Sequence, residues 1–179
     1  MIRHKRCFFI DLETTGLDEN NCFILEIGAK ITDIDYRVLD EFAVIIHQSR
    51  SRLHSMNVWC KRQHSKSGLI KESNGSMMSV YDAQKELLKW MDKHRLKKDV
   101  ILYGNSIHFD RKFIKKYLPL IENRLSYRMV DITSFKIVFE TKFGIEIEKR
   151  DSKHRVLDDI QDSIDELKFY LKYVKVGGK

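Results

Sequence analysis

Three apolar runs rich in β-branched and aromatic residues lie near the start of the chain, and few residues separate the second run from the third. The runs are Cys7–Asp11, Ile24–Thr32 and Val38–Ile46, and a Thr-Thr-Gly-Leu-Asp turn signal follows the first of them. The connection between the second and third is too short for a crossover helix. We therefore expect neighbouring antiparallel strands in this part of the chain.

Beyond residue 80 the apolar spacing changes from that of strands to that of helices. The apolar residues from Val80 to Met91 form one stripe, which predicts an amphipathic helix. A short strand follows at Val100–Tyr103, and then a helix that stops near Pro119. We expect a further strand at Met129–Asp131 and a helix over Ile132–Phe139.

The last helix gives the clearest pattern of the chain. Its apolar residues step by four and three, at Ile160, Ile164, Leu167, Leu171 and Val174. Asp158, Asp159 and Asp162 crowd its first turns, where acidic residues suit the helix dipole. Strands followed by helix–strand units predict an α/β fold: a mixed sheet, with three antiparallel strands and then parallel strands, flanked by helices. The pattern alone favours several folds of this class.

Composition and charge indicate one compact domain over residues 1–179. Hydrophobic residues make up 42% of the chain, and a single proline leaves little room for linkers. The formal net charge of +7 favours an anionic partner such as a phosphodiester backbone. A solvated basic surface without a partner explains the same charge equally well.

Cysteine usage and hydropathy indicate a protein of a reducing compartment. Cys7, Cys22 and Cys60 form no C-x-x-C spacing, which argues against a disulfide framework and against a zinc site. The basic residues 1–6 lack the apolar stretch of a signal peptide. No segment approaches the roughly 20 apolar residues that span a membrane. We therefore expect a cytoplasmic protein with no membrane partner.

Two carboxylates end the first predicted strand. Asp11 and Glu13 are two residues apart, so their side chains point to the same face. Such carboxylates repel each other unless a cation lies between them. Oxygen ligands of this kind suit Mg²⁺ or Mn²⁺. Taken alone, the pair is explained more simply as a polar strand end that runs into a turn.

Three further residues lie at positions that are common for catalytic or ligand-binding side chains, although such a role is not required there. Asp110 follows the Val100–Tyr103 strand, at the end of the sheet where α/β proteins bind ligands. We expect His154 in the loop before the last helix and Asp159 on its first turn, facing the sheet. Each has an ordinary explanation: a helix cap for Asp110, a surface histidine beside the charged residues 149–153, and an acid on the helix dipole.

As an ordered set, these residues resemble the signature of the DEDDh exonucleases: Asp-x-Glu on the first strand, Asp after a middle strand, and His-x-x-x-x-Asp opening the last helix. The resemblance implies a ribonuclease-H-like fold and two divalent metal ions, Mg²⁺ or Mn²⁺, roughly 3.5–4 Å apart. It implies that Asp11, Glu13, Asp110 and Asp159 hold the metals, with Asp11 bridging both. His154 would take the proton of the attacking water.

A closer resemblance, to the oligoribonucleases, runs in order from Ile10 to about Tyr170. The matching blocks are 10–18, 47–49 with Trp59, His64 and 67–69, then 104–107 with 110–113, then 127–128 with 131–133, and finally 154–160 with 163–167. The chain departs from many bacterial relatives at Phe109, where they carry Gln, and at Lys112, where they carry Arg.

This resemblance implies a homodimer that trims very short RNAs, especially dinucleotides, from the 3′ end to nucleoside monophosphates. Leu17 would be a wedge between the terminal bases, and Trp59 a stacking surface for a base. Contacts to the terminal nucleotide or phosphate would come from Thr15, His64 and Ser106. A cap over the 5′ phosphate would comprise Arg128 and Thr133, with Tyr127 and Arg128 supplied by the other subunit.

Each of these contact residues also has an ordinary structural explanation. An isolated leucine can be a turn residue, an isolated aromatic is more often in the core, and serine or threonine can cap a local turn. His64 can be a loop histidine, and Arg128 a solvated side chain. The assignment of the substrate contacts therefore depends on the resemblance.

Two other functions remain open at the level of sequence. One is a DEDDh exonuclease for longer RNA or DNA, against which Trp59 and the Tyr127-Arg128 pair argue, because they resemble a closed site for short substrates. The other is a non-catalytic nucleic-acid-binding module on a degenerate exonuclease fold. The full set of acids argues against it, since four like charges in one cleft would repel a phosphate without metal.

Overall fold

The computed structural model describes residues 6–148 and 154–175. Within these ranges five strands form one mixed sheet in the order β3-β2-β1-β4-β5. The strands are β1 (Cys7–Thr14), β2 (Ile24–Thr32), β3 (Val38–Ile45), β4 (Val100–Gly104) and β5 (Leu125–Asp131). The charged segment 149–153 that precedes His154 lies outside the described residues.

The strand directions confirm the predicted fold class. β1 pairs antiparallel with β2, and β2 pairs antiparallel with β3. β4 then pairs parallel with β1, and β5 pairs parallel with β4. Parallel neighbours need crossover connections, which the helical segments between β3 and β4 and between β4 and β5 supply.

Helices cover both faces of the sheet. In the described part of the chain they are α1 (Arg50–His54), α2 (Val58–Lys66), α3 (Leu69–Gly75), α4 (Val80–Lys93), α5 (His108–Tyr117), α6 (Pro119–Glu122), α7 (Ile132–Phe143) and α8 (Val156–Leu171). None of them is long and apolar enough to cross a membrane. Because both faces are covered, β2 is buried along its whole length.

The central strand β1 divides its side chains between two cores. Phe8 and Ile10 point to the face covered by α4 and α5, where they pack with residues such as Leu87 and Ile114. Phe9 points to the opposite face and packs with Ile164 of α8. Side chains alternate along a strand, so Asp11 and Glu13 continue the series of Phe9 and lie on the face that α8 covers.

Several element boundaries differ from those predicted. β5 begins at Leu125 rather than Met129, because Leu125 already pairs with β4, although exposed polar residues lie between the two positions. α7 continues past Phe139 to Phe143 and ends at Gly144, which adopts the left-handed conformation (φ 63°) that glycine tolerates best. α8 ends at Leu171, so Val174 lies beyond it.

Three short helices between β3 and α4 have no counterpart in the predicted elements. Side-chain caps start two of them, with Ser49 accepting from the Arg52 amide of α1 and Asn57 from the Cys60 amide of α2. Together they bury a small cluster against Leu25 of β2. These helices carry Trp59 and His64 to the end of the sheet that holds Asp11 and Glu13. The three cysteines of the chain are free thiols.

Candidate active site

Asp11 and Glu13 stand side by side on β1, and both carboxyl groups resist ionisation. Burial raises the pKa of Asp11 well above its ordinary value, and the charges of Asp110, Glu13 and Asp159 raise it further. Burial, followed by the charge of Asp159, raises the pKa of Glu13 to about 8. Both shifts have the same two causes, which are burial away from water first and the negative charge of neighbouring acids second.

Asp110 lies beside Asp11 and Glu13, on a helix that covers the opposite face of the sheet. It lies in the first turn of α5, is buried, and accepts a hydrogen bond at Oδ1 from the backbone N–H of Leu12 (2.9 Å). Leu12 separates Asp11 from Glu13, so this bond ties Asp110 directly to the pair. Burial raises the pKa of Asp110 to about 7, although the Leu12 amide acts in the opposite direction.

The last two predicted residues lie at and just before the N-terminus of α8. Asp159 is on the first turn, and His154 lies two residues before the helix. Metal-ligating atoms of Glu13, His154 and Asp159 all lie within 4.8 Å of one another. The backbone of His154 is left-handed (φ 50°), which an ordinary side chain adopts when its surroundings hold it there. The structure thus brings the histidine to the acids.

Close packing of α8 on the sheet makes this approach possible. Gly28 of β2 is the direct partner of Asp11 in the β1–β2 ladder. A Cβ atom at Gly28 would lie 2.5 Å from the Cβ of Val156, the first residue of α8. Only glycine therefore lets the start of α8 lie flat against β2, and this contact sets Asp159 above the acids of β1.

The four acids and His154 form a donor set suited to a hard divalent cation. Carboxylate oxygens dominate the set, and such ligands are preferred by Mg²⁺ and Mn²⁺. Burial and, after it, repulsion between the acids raise the pKa values of Asp11 and Glu13. A bound cation would remove that repulsion, so the residues present fit the metal that the sequence predicts.

Leu17 and Trp59 are both exposed beside this site. Leu17 follows β1 and is 71% exposed, and Trp59 on α2 is 58% exposed. The indole of Trp59 stands edge-on to the imidazole of His154, with ring centroids 5.6 Å apart. Large apolar side chains that remain open to solvent next to an acid cluster are available to contact a base.

Thr15 and His64 are buried, and the described structure gives both of them partners in the protein. The Thr15 hydroxyl oxygen accepts from the Phe23 amide (2.9 Å). His64 Nε2 lies 2.9 Å from the Thr14 carbonyl oxygen, which can only accept, so Nε2 carries the proton. Nδ1 then faces Glu13 Oε2 at 3.9 Å. Both residues support the backbone at the end of β1, and their contact with substrate stays a prediction.

Ser106 and Thr133, which the sequence assigns to different substrate contacts, meet at the end of β4. The Ser106 amide donates to Thr133 Oγ1 (2.9 Å) and to Asp131 Oδ1 (3.0 Å). Ser106 has a left-handed backbone (φ 47°) that these bonds hold in place. Asp131 also accepts from the Thr133 amide (3.0 Å), so one carboxylate caps α7 and fixes the turn.

Tyr127 and Arg128 lie on the edge strand β5. Tyr127 is 77% exposed, and the Arg128 guanidinium stacks over its ring at 4.6 Å from the centroid. The structure thus joins these two side chains to each other. Their predicted role, contributed to the site of a second subunit, stays a prediction.

Sequence reasoning missed four residues that shape the site. Glu26 lies directly opposite Glu13 in the β1–β2 ladder and is ion-paired with Arg155. Gly28 admits α8, and the Asn105 side chain donates to Glu166 Oε2 of α8 (2.9 Å). The signal available for Glu26 and Gly28 was an acid and a glycine inside a strand whose other residues are mostly apolar.

Comparisons with known proteins identify a family that the chain matches. A family model described as "Exonuclease" matches residues 8–167. The chain is 43% identical to the oligoribonuclease of Francisella tularensis subsp. novicida, over 90% of this chain and 92% of that protein. It is 38% identical to the probable oligoribonuclease of Dictyostelium discoideum, over 94% of this chain and 90% of that protein.

A solved structure supports the fold. Exonuclease I from Methylocaldum szegediense superposes with a TM-score of 0.72 at 12% sequence identity. The match covers 94% of this chain but 40% of that protein, so the chain spans less than half of its length. At this identity the likeness concerns the fold, which is the ribonuclease-H-like sheet that the sequence predicts.

Proposed function

The chain belongs to the oligoribonucleases of the exonuclease family, and on that premise we propose that it hydrolyses very short RNAs from the 3′ end, above all dinucleotides, to nucleoside 5′-monophosphates. The observation that carries the proposal is the meeting of Glu13, His154 and Asp159 within 4.8 Å. Asp11 and Asp110 act on the same cluster through their charges. We take residues 1–179 as one exonuclease domain.

In this proposal Asp11, Glu13, Asp110 and Asp159 hold two divalent cations, Mg²⁺ or Mn²⁺. When bound, such cations neutralise charge on the phosphate and supply an activated water. The fold fixes the positions of the acids. Asp110 accepts a hydrogen bond from the Leu12 amide, and Asp11 and Glu13 lie on one face of β1.

His154 is the proposed general base. Its imidazole accepts the proton of the attacking water, as histidine side chains do near neutral pH. The water oxygen then bonds to phosphorus, the bond from phosphorus to the preceding 3′ oxygen breaks, and a proton goes to that oxygen. The released nucleotide therefore keeps its 5′ phosphate. Trp59, edge-on to His154, is placed to stack on a base of the substrate.

The other proposed substrate contacts follow the resemblance to the oligoribonucleases. Leu17 is the wedge between bases, and its 71% exposure leaves it open to a ligand. Thr15, His64 and Ser106 contact the terminal nucleotide or phosphate. Arg128 and Thr133 cap the 5′ phosphate, which ends the site and favours short RNA.

We extend the proposal to a homodimer in which Tyr127 and Arg128 enter the partner's site. Edge strand β5 and the outer face of α7 carry exposed apolar residues, including Met129 (38%), Ile137 (55%) and Val138 (50%). An open strand edge beside such side chains favours burial against a second copy. The three free cysteines suit a reducing compartment, so a cytoplasmic location completes the proposal.

Hydrolysis of an RNA dinucleotide with Mg²⁺, with Mn²⁺ and with excess chelator tests the proposal. We expect nucleoside 5′-monophosphates with either metal, no product with chelator, and no product from Asp11→Asn. Asp35→Asn is the matched control, because Asp35 is an exposed acid in the β2–β3 turn and should leave the rate unchanged. Binding of the dinucleotide without hydrolysis by the wild type would instead indicate a non-catalytic binding module.

A further inference from the structure

Glu26 is a fifth carboxylate beside the proposed metal site. It lies on β2 directly opposite Glu13, and only 3% of it is exposed. Side chains of directly opposed residues in an antiparallel pair lie on the same face, with Cβ atoms about 4.5–5.5 Å apart. Without a partner, Glu26 would add its charge to a cluster that already holds four acids.

Arg155 is the partner of Glu26, and two nitrogen atoms of its guanidinium bind the carboxylate. Nε donates to Glu26 Oε2 (3.0 Å), and Nη2 donates to Glu26 Oε1 (2.8 Å). Nη2 also lies 3.1 Å from Glu72 Oε2 of α3. Two parallel bonds of this kind fix direction as well as charge, which the ammonium group of a lysine cannot do.

The position of Arg155 in the chain gives this ion pair a second effect. Arg155 is the N-cap residue of α8, between His154, with its left-handed backbone, and Val156, which packs on Gly28. The pairing with Glu26 therefore anchors the residue next to His154 to the middle of the sheet. His154 is held from its C-terminal side at a place where its own backbone conformation is unfavourable.

We propose that Arg155 is a positioning residue with two separable effects: its charge screens Glu26 from the proposed metal site, and its two-armed pairing with Glu26 holds His154 beside Glu13 and Asp159. The inference rests on the proposed function, since it presumes a cation at the acids and a reaction at His154. The first effect concerns charge alone, and the second concerns geometry alone.

Metal binding separates the charge effect from an ordinary structural role. We would titrate Mn²⁺ calorimetrically into the substrate-free protein and into Arg155→Met, Glu26→Gln and the double variant. Arg155→Met leaves Glu26 unscreened, so we expect Mn²⁺ to bind several-fold more tightly. Glu26→Gln removes one of the two carboxylates that offset the charge of Arg155, so Mn²⁺ binding should weaken. The double variant should return close to the wild-type affinity.

Dinucleotide turnover then tests the geometric effect. Arg155→Lys keeps the positive charge but loses the two parallel hydrogen bonds of the guanidinium. Its Mn²⁺ affinity should therefore match that of the wild type, while kcat falls about tenfold with little change in KM. Arg37→Met is the matched control, because Arg37 is a 76% exposed arginine in the β2–β3 turn, and it should change neither quantity. Thermal unfolding without metal verifies that each variant folds.

The outcomes distinguish this inference from the proposed function. Equal or weaker Mn²⁺ binding by folded Arg155→Met, compared with the wild type, would overturn the screening effect. A wild-type kcat for Arg155→Lys would overturn the proposal that the pairing with Glu26 holds His154 in place. If the wild type hydrolyses no dinucleotide, the proposed function fails, whereas the opposite shifts in Mn²⁺ affinity remain measurable without substrate.

Discussion

The indole ring of Trp59 stands edge-on to the imidazole ring of His154, with centroids 5.6 Å apart and ring planes at 81°. α2 carries the indole and the start of α8 carries the imidazole, so two elements far apart in sequence meet at this contact. It places the aromatic surface proposed for a base directly beside the proposed general base. The predictions below start from this arrangement.

Removal of the indole should weaken use of the substrate. Trp59→Ala removes a stacking contact worth about 1–3 kcal/mol, so kcat/KM for an RNA dinucleotide should fall about 5- to 150-fold. Trp59→Phe should retain most of the activity. Tyr81→Ala is the control, because Tyr81 is an aromatic on α4 that is also 58% exposed. Equal kcat/KM for Trp59→Ala and wild type would remove Trp59 from the site.

Loss of the imidazole should affect turnover rather than binding. His154→Ala should lower kcat by about 10²–10⁴-fold, the usual contribution of a general base, with a much smaller change in KM. Steady-state kinetics on the dinucleotide measure both parameters. His54→Ala is the matched control, since the exposed His54 only bonds the Arg50 carbonyl at the end of α1. A His154→Ala variant with wild-type kcat would require another base.

Burial of the acids, together with the repulsion between them, should make the metal-free protein less stable as pH rises. The folded pKa values of Glu13 (about 8) and Asp110 (about 7) lie above those of the unfolded chain. The folded state therefore binds more protons, and its stability falls as pH rises from about 4 to about 8. Thermal unfolding in chelator should give a lower Tm at pH 8 than at pH 5.

Two changes should reverse this loss of stability. Mg²⁺ should raise Tm more at pH 8 than at pH 5, because it binds ionised carboxylates. Asp11→Asn, which removes one charge from the cluster, should raise the Tm of the metal-free protein at pH 8. A Tm in chelator that is equal at both pH values would contradict the electrostatic account of the site.

The proposed dimer predicts complementation between two impaired variants. Asp11→Asn lacks a working acid set, and Arg128→Ala lacks the cap that it would lend to a partner. A mixed dimer has one site with intact acids and an intact Arg128 from the partner. After unfolding and joint refolding of equal amounts, about a quarter of the wild-type activity should return, because half of the dimers are mixed and each has one complete site.

Light scattering provides the control for that experiment. Ile137→Lys on α7 should shift the protein towards monomer and lower dinucleotide hydrolysis, whereas Ile34→Lys, at a 66% exposed position in the β2–β3 turn, should change neither. Monomeric wild type at micromolar concentration, or no recovery of activity on mixing, would contradict sites shared between subunits.

The strands and the pairing of Asp11 with Glu13 were predictable from sequence because their patterns are strong and local. β2 was predicted with its exact bounds, since a run rich in β-branched and small residues marks a strand. The two-residue spacing of Asp11 and Glu13 predicted their common face. Asp110 and Asp159 joined them only through the family resemblance, because spacing alone cannot bring distant elements together.

The residues that hold the site together were harder to predict. Glu26 and Arg155 are 129 residues apart, and neither lies in a local sequence pattern that predicts the ion pair. Because α1 to α3 are short, their apolar residues form no long stripe, and the starts of α1 and α2 depend on single capping side chains. The burial of Thr15 and His64 against backbone groups likewise depends on how α2 packs on the end of β1.

The central claim is that these acids and His154 form a metal-dependent site for very short RNA. The most direct test is hydrolysis of 5′-labelled RNAs of two, five and twenty nucleotides with Mg²⁺ or Mn²⁺, wild type beside Asp11→Ala. The account predicts rapid loss of the dinucleotide, little attack on the longest RNA, and no product from Asp11→Ala. Trimming of the longest RNA as efficiently as the dinucleotide would contradict a site closed for short substrates.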